Sequence, residues 1–144
     1  MKKILIGLFA AMAFVACSPC PQPESIPFEV AHNYFVRNDV SSVPVKIDSQ
    51  ELFERYFGMA AFMGKNGEPT PIDFSKQFVI AIVLPETAHS TELSAERLTE
   101  EGDCLMLTYQ VSVAEKENTW TQVPVQLIIV ERAYERDSVI LKEN

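Results

Sequence analysis

The amino-acid sequence predicts an α+β domain in which a mainly antiparallel β-sheet, or two packed sheets in a β-sandwich, carries one short helix. Three segments lead to this fold class. Residues 78–84 (FVIAIVL) are continuously apolar, as in a strand that is covered on both faces. Residues 105–113 alternate between apolar and polar side chains, as in a strand with one solvated face. Residues 49–57 place their apolar side chains at helical spacing.

The chain begins with the pattern of a bacterial export signal. Lys2 and Lys3 precede an apolar run over residues 4–15. This run is too short for a permanent membrane-spanning helix but typical of a signal-peptide core. An ordinary secretory signal would be cut after Ala13 and would release the protein. The residues that follow therefore decide between a released and an anchored protein.

Residues 14–17 (FVAC) resemble the lipobox of bacterial lipoproteins. The resemblance implies that residues 1–16 are removed and that Cys17 is lipidated on its thiol and its new amine. Several acyl chains would satisfy the requirement of stable membrane anchoring for more than one lipid signal. Residues 17–25 would then form the lipidated cysteine and a proline-rich tether, and residues 26–144 the globular domain. We accordingly expect a lipid-anchored protein of the bacterial cell envelope, at the outer membrane.

The charge of the chain excludes several partners. The formal net charge is −8, and residues 1–16 contribute two lysines but no acid, so that the mature chain would be more acidic still. Binding to nucleic acid requires clustered Lys and Arg side chains, and an acidic surface is repelled by anionic lipid. We expect no nucleic-acid partner, and we expect the lipid rather than the domain surface to hold the protein to the membrane.

The other strands and turns follow in chain order. Strands are expected at residues 28–36, 43–47, 78–84, 91–98, 105–113, 125–129 and 139–141. Turns are expected at residues 65–67, 101–103 and 114–119, the first within a hairpin or a long loop. Pro124 suggests an edge strand or a bulge. We expect the strand at 78–84 to be central, with the strand at 105–113 pairing near it.

The helix carries start and stop signals of its own. Asp48 is the expected N-cap, and Glu51 stands three residues later, as in a capping box. Gly58 is expected to close the helix in the left-handed conformation. The apolar face of this helix is expected to cover one side of the central strand.

No motif in the sequence predicts catalysis or metal binding. His32 and His89 are the only histidines, and neither has a metal-ligand partner at the required spacing. No glycine-rich loop or nucleophile motif is present. We therefore expect no enzyme activity, no metal and no cofactor. A hydrolase would require one histidine to lie near a serine or an acid.

Cys20 and Cys104 could pair, but two unpaired thiols are the expected state.

Four apolar residues have two interpretations. Trp120, Met59, Phe62 and Met63 are candidate partner-binding residues, because exposed aromatic and methionine side chains form adaptable docking surfaces. The same residues are more often found in a core, and packing in the core is the role that we expect.

A longer stretch resembles a known family. Residues 72–81 (IDFSKQFVIA) resemble the C-terminal domain family of PrcB, an accessory lipoprotein that stabilises a bacterial surface protease complex. The later TQVP at residues 121–124 resembles the Gln-x-Pro segment of that family. Residues 86–91 (ETAHST) depart from it, because the family has Thr-Gly-Gly-Tyr there. Residues 34–38, together with residues 57–60, resemble a group of small Bacteroidota lipoproteins of uncharacterised function.

The function expected from these features is non-enzymatic. The chain is predicted to be an anchored lipoprotein that binds or stabilises another envelope protein. The alternative is a lipoprotein that binds a small molecule or a glycan, with the ring of Trp120 or Tyr34 as a stacking platform. That alternative requires a concave site lined by those rings.

Overall fold

The computed structural model describes residues 22–144. The predictions for the signal peptide, the lipidation of Cys17, most of the tether and the pairing of Cys20 lie outside these residues. Within the part that is described, no helix has the length and apolarity needed to cross a membrane.

The described chain is mainly β-structure with one short α-helix. Its strands are β1 (Glu29–Ala31), β2 (Tyr34–Val36), β3 (Lys46–Ile47), β4 (Phe57–Met59), β5 (Gln77–Val83), β6 (Thr87–Glu101), β7 (Cys104–Gln122), β8 (Val125–Glu131) and β9 (Ser138–Glu143). Helix α1 spans Gln50–Tyr56, and a 3-10 turn spans Arg132–Tyr134. The strands form a four-stranded sheet in the order β1-β8-β5-β3, a two-stranded sheet of β2 and β4, and a three-stranded sheet in the order β6-β7-β9.

Strand β5 occupies the interior of the four-stranded sheet, which confirms the prediction from its unbroken apolar sequence. It lies between β8 and β3 and pairs antiparallel with both. Phe78, Ile80 and Ile82 belong to a buried cluster on one face. Val79 and Ala81 belong to a second cluster on the other face, because successive side chains of a strand point to opposite faces.

Strand β7 was expected to pair near β5. It lies instead between β6 and β9 in the three-stranded sheet and forms no ladder with β5. Its inward side chains Leu105, Leu107 and Tyr109 belong to the same buried cluster as Phe78 of β5. The two strands therefore meet through side-chain packing rather than through a backbone ladder. The polar turn predicted at residues 114–119 is also wrong, because β7 continues through them to Gln122.

Helix α1 packs on the far face of β5, as predicted, and its boundaries differ from the expected ones. The N-cap is Ser49, whose hydroxyl oxygen accepts a hydrogen bond from the Leu52 N–H at 3.4 Å. Asp48 lies outside the helix, where its carbonyl accepts a hydrogen bond from the Arg132 guanidinium. The helix ends at Tyr56 because the next residue, Phe57, already has extended backbone dihedral angles.

Gly58 is not the helix terminator that the sequence suggested, because it lies in the middle of β4 without a positive φ. A Cβ atom at this position would lie 2.4 Å from Cζ of the Phe35 ring, far closer than such atoms approach each other. A larger residue at this position would therefore have to displace the Phe35 ring, which lies against the backbone here.

The expected strand over residues 28–36 is divided in two. Strands β1 and β2 belong to different sheets, and the chain changes direction between them at Asn33, which has a φ of 65°. The strand expected at residues 43–47 is reduced to β3, and the segment between β4 and β5 is a long loop rather than a hairpin.

Candidate functional site

A groove of about 550 Å³ is the candidate functional site. Its lining residues come from α1, from β2 and β4, and from the segment 68–74 that leads towards β5. Helix α1 leads directly into β4, whereas β2 and the segment 68–74 lie elsewhere in the sequence, and the folding of the chain brings these parts together.

The floor of the groove is aromatic and is organised around Phe53 of α1. The centroid of the Phe53 ring lies 5.1 Å from that of Tyr34 in an edge-to-face arrangement, 5.1 Å from that of Phe57 and 5.6 Å from that of Phe74. Such ring pairs stabilise a fold beyond the area they bury. Phe53 is buried, and all four rings line the groove. The floor is therefore an apolar surface fixed by packing.

Tyr34 links the floor to one wall. Its hydroxyl donates a hydrogen bond to the carbonyl oxygen of Thr70 at 2.6 Å, which ties the segment 68–74 to β2. Burial raises the pKa of Tyr34, so the hydroxyl remains protonated at neutral pH and keeps this bond. Two prolines, Pro69 and Pro71, flank Thr70 and favour an extended backbone there.

Strand β4 lines the groove with three consecutive residues, Phe57, Gly58 and Met59. The face of a strand presents alternate residues, whereas its edge presents consecutive ones. The groove therefore runs along an edge of β4.

The backbone bonds of β4 show which groups point to this edge. Ala60 N–H donates to Asn33 O at 2.8 Å and Arg37 N–H donates to Tyr56 O at 2.9 Å, on either side of the β2–β4 pair. Antiparallel ladders alternate, so Phe57 and Met59 direct their backbone groups away from β2. Phe57 N–H donates to Phe53 O at the end of α1. The N–H and C=O of Met59 therefore face the outer edge of the strand.

Charged side chains stand at the rim. Glu54, Glu68 and Arg37 line the groove, which gives it a net negative charge. The Arg37 Nε donates to the carbonyl oxygen of Glu54 at 2.8 Å and fixes the end of α1 against β2. The Glu54 carboxylate accepts a hydrogen bond from Gln50 Nε2 at 2.6 Å. The rim thus favours neutral or cationic groups on a bound molecule.

The four apolar residues singled out by the sequence are exposed, so the expectation that they pack in the core is wrong. Met59 is 68% exposed, Phe62 59% and Trp120 54%, while Met63 is fully exposed. Met59 lines the groove, and Phe62 and Met63 follow it in the adjoining loop. Trp120 lies on β7, outside the residues that line this groove.

The histidines hold loops and strands in place. The backbone of His32 is bonded to Thr70 through both its N–H and its carbonyl oxygen. The ring of His89 lies 3.0 Å from the carbonyl oxygen of Ala114 through Nδ1 and 3.6 Å from the carboxylate of Glu117 through Nε2. Among residues 22–144 no cluster of metal-ligating side chains is found.

His89 and Glu117 form a histidine–acid pair of the kind that a hydrolase would use, but Glu117 is largely exposed. Absence of enzyme activity stays a prediction.

Most groove residues were not recognised from the sequence. Phe74 and Arg37 lie in segments that carry the family resemblances, and Glu54 lies in the predicted helix, but none of them was identified as a site residue, and only the folded chain brings them to one site. The closely spaced prolines at 69 and 71 were the available signal, because the residue before a proline is held extended.

Comparison of the chain with protein-family models, with curated proteins and with solved structures finds no match.

Proposed function

We propose that this chain is a non-enzymatic lipoprotein of the bacterial outer membrane that binds an extended segment of an envelope protein in the groove between α1, β4 and residues 68–74. Lipidated Cys17 holds it at the membrane, and the residues that follow separate the domain from the anchor as far as Pro23 and Ser25, which contact Arg97 and Thr99 of β6. The binding stabilises the partner or its complex, in the manner implied by the resemblance of residues 72–81 to the PrcB family.

One observation carries this proposal: Met59, whose N–H and C=O point away from β2 by the register of the strand pair, lines an aromatic groove. An extended peptide that pairs with the backbone of Met59 would gain two hydrogen bonds, as in recognition by strand addition. Its apolar side chains would pack on the rings of Tyr34, Phe53 and Phe74. The charged residues of the rim, Glu54, Glu68 and Arg37, would determine which charged side chains of the peptide can bind.

The finer description of the fold is part of the same proposal. Leu105 and Leu107 of the three-stranded sheet share a buried cluster with Phe78 and Ile128 of the four-stranded sheet. This shared cluster supports a β-sandwich in which the second face of the larger sheet is left for α1 and the groove.

A second candidate is binding of a small molecule or a glycan. The observation that favours it is that the ring of Tyr34 lines the groove, whose volume falls in the range of ligand sites. Trp120 does not contribute, so the stacking platform would be Tyr34 alone.

The test uses the backbone at position 59. Linear peptides are selected from a phage-displayed library against the full chain in detergent, and their affinities are measured for two variants. Met59→Pro removes the N–H that faces the edge, whereas Met59→Ala keeps it and likewise removes the thioether of the side chain. We expect Met59→Pro to bind more weakly than Met59→Ala by about threefold to tenfold, the value of one hydrogen bond.

Equal affinity for the two variants would refute pairing along β4. Failure to select any peptide, combined with saturable binding of an oligosaccharide, would favour the second candidate. The anchor is tested separately by mass spectrometry of the mature N-terminus, where a free thiol on Cys17 would contradict lipidation.

A further inference from the structure

The loop between β4 and residue 68 holds an apolar tip in solvent. We define the apolar tip as Phe62 and Met63. Met63 is fully exposed, and every residue from 59 to 66 is exposed. Large apolar side chains that the fold presents together to solvent mark surfaces that contact something apolar.

The loop has a fixed shape that keeps the tip outward. The N–H of Phe62 donates to Gly67 O at 3.0 Å, which closes the loop on itself. The Asn33 side-chain nitrogen donates to the carbonyl oxygens of Asn66 and Glu68, both at 2.8 Å, and fastens the loop to the corner between β1 and β2. Asn33 and Asn66 both adopt a φ of 65° to permit this arrangement. The exposure of the tip is therefore built into the fold.

The loop that carries the tip contains no acidic residue of its own. The protein carries 20 acidic residues, yet none lies between Glu54 and Glu68, where Arg55 and Lys65 are the charged side chains. Acidic side chains repel the anionic surface of a bilayer and lose hydration close to it. This loop can approach a bilayer without either cost, and Lys65 can contact lipid phosphate.

We propose that the apolar tip inserts into the surface of a lipid bilayer. Phe62 and Met63 enter the boundary between headgroups and acyl chains, as apolar side chains of interfacial proteins do, and Lys65 stays at the headgroup level. This goes beyond peptide binding and rests on the proposed function only for the membrane location. The insertion brings the groove, which begins at Met59, next to the membrane surface.

The test places a tryptophan reporter at the tip of the full chain. Trp120→Phe removes the native tryptophan, and Met63→Trp is added to it. The matched control carries Val113→Trp on the same background, because Val113 is likewise exposed but lies on β7 rather than in the loop. Each chain is reconstituted into phosphatidylcholine vesicles with or without bromine on the acyl chains. Urea unfolding of both variants confirms that they are folded.

We expect the reporter at position 63 to show a blue-shifted emission and a loss of fluorescence in brominated vesicles. The reporter at position 113 should show neither, and Phe62→Ser should reduce the quenching at position 63. Equal quenching of both positions by aqueous iodide, with no effect of bromine, would overturn the inference. Cross-linking of a photoreactive residue at position 63 to a protein, without bromine quenching, would overturn it in favour of a protein contact. Peptide affinity on the same variants reports separately on the groove.

Discussion

Replacement of Phe53 by alanine tests whether the aromatic floor stabilises the whole domain. Phe53 is 4% exposed and is the common partner of three aromatic rings at centroid distances of 5.1 to 5.6 Å. Truncation of a buried phenylalanine to alanine typically costs about 3–5 kcal/mol. Since domains of this kind have a stability of about 5–15 kcal/mol, Phe53→Ala should remove a large share of it.

Phe53→Leu separates volume from ring contacts. Leucine retains most of the buried apolar area but cannot form the edge-to-face contact with Tyr34 or the tilted contacts with Phe57 and Phe74. Each of the three aromatic pairs contributes about 0.5–1.5 kcal/mol beyond its area. Because pairs that share one ring are not additive, we expect a loss in the lower part of their sum, about 1.5–3 kcal/mol. The two variants together should therefore give a graded series.

Urea unfolding followed by circular dichroism measures both losses, with the slope of the transition as a check on two-state behaviour. Phe62→Ala is the matched control, since the same side chain is removed at a position that is 59% exposed and should change stability by less than about 0.5 kcal/mol. If Phe53→Ala and Phe62→Ala had the same effect, the packing of α1 on the sheet would be refuted, and the groove would lose its floor.

Two further predictions concern the ends of the sheet and the apolar tip. The hydrogen bond from Lys46, followed in importance by that from Arg132, lowers the pKa of Glu135 below its ordinary value of 4.5. The contribution of this carboxylate to the free energy of unfolding is present above pH 4.5 and is lost as the pH falls through the lower pKa that Glu135 has in the folded state. Glu135→Gln should therefore flatten the decline of the melting temperature in acid. An unchanged decline would contradict this prediction. A Cβ at Gly67 would lie 1.9 Å from the carbonyl oxygen of Phe62, so Gly67→Ala should open the loop and cost about 1–3 kcal/mol in urea unfolding; a neutral effect would contradict the loop geometry.

The parts of the fold that follow from local patterns were predictable. Strand β5 has no polar residue between Phe78 and Val83, and only a strand covered on both faces accommodates such a run. Helix α1 was predicted from the spacing of its apolar residues to within two residues of its ends. In both cases burial dictates the periodicity, and the periodicity is visible in the sequence.

The errors arise where a tertiary contact overrides a local signal. Gly58 has the sequence position of a helix terminator, but it lies in a strand, where the Phe35 ring packs against its backbone. Residues 114–119 have the composition of a polar turn, yet they belong to β7 and pair with β6. The register is irregular there, because His89 opposes Glu117 while Thr91 opposes Val113. A two-stranded region with both faces in solvent has no hydrophobic alternation, so no pattern marks it as a strand.

The candidate site was predictable only in its exposed part. Met59, Phe62 and Met63 were identified as candidate contact residues because methionine and aromatic side chains form adaptable docking surfaces. Of the floor, only Tyr34 was named as a candidate, since Phe53 and Phe74 are separated by a long stretch of sequence and meet only when α1 packs on β5.

The acid-free loop and the groove meet at one residue, Met59. The loop keeps Phe62 and Met63 in solvent, and the hydrogen bonds of Asn33 and Gly67 fix its shape. Apolar area that stays hydrated in the folded chain adds nothing to the hydrophobic stabilisation of the fold. The tip is therefore free to gain that stabilisation from a contact outside the chain. In the proposed arrangement this contact is a bilayer surface, and the groove that begins at Met59 lies beside it.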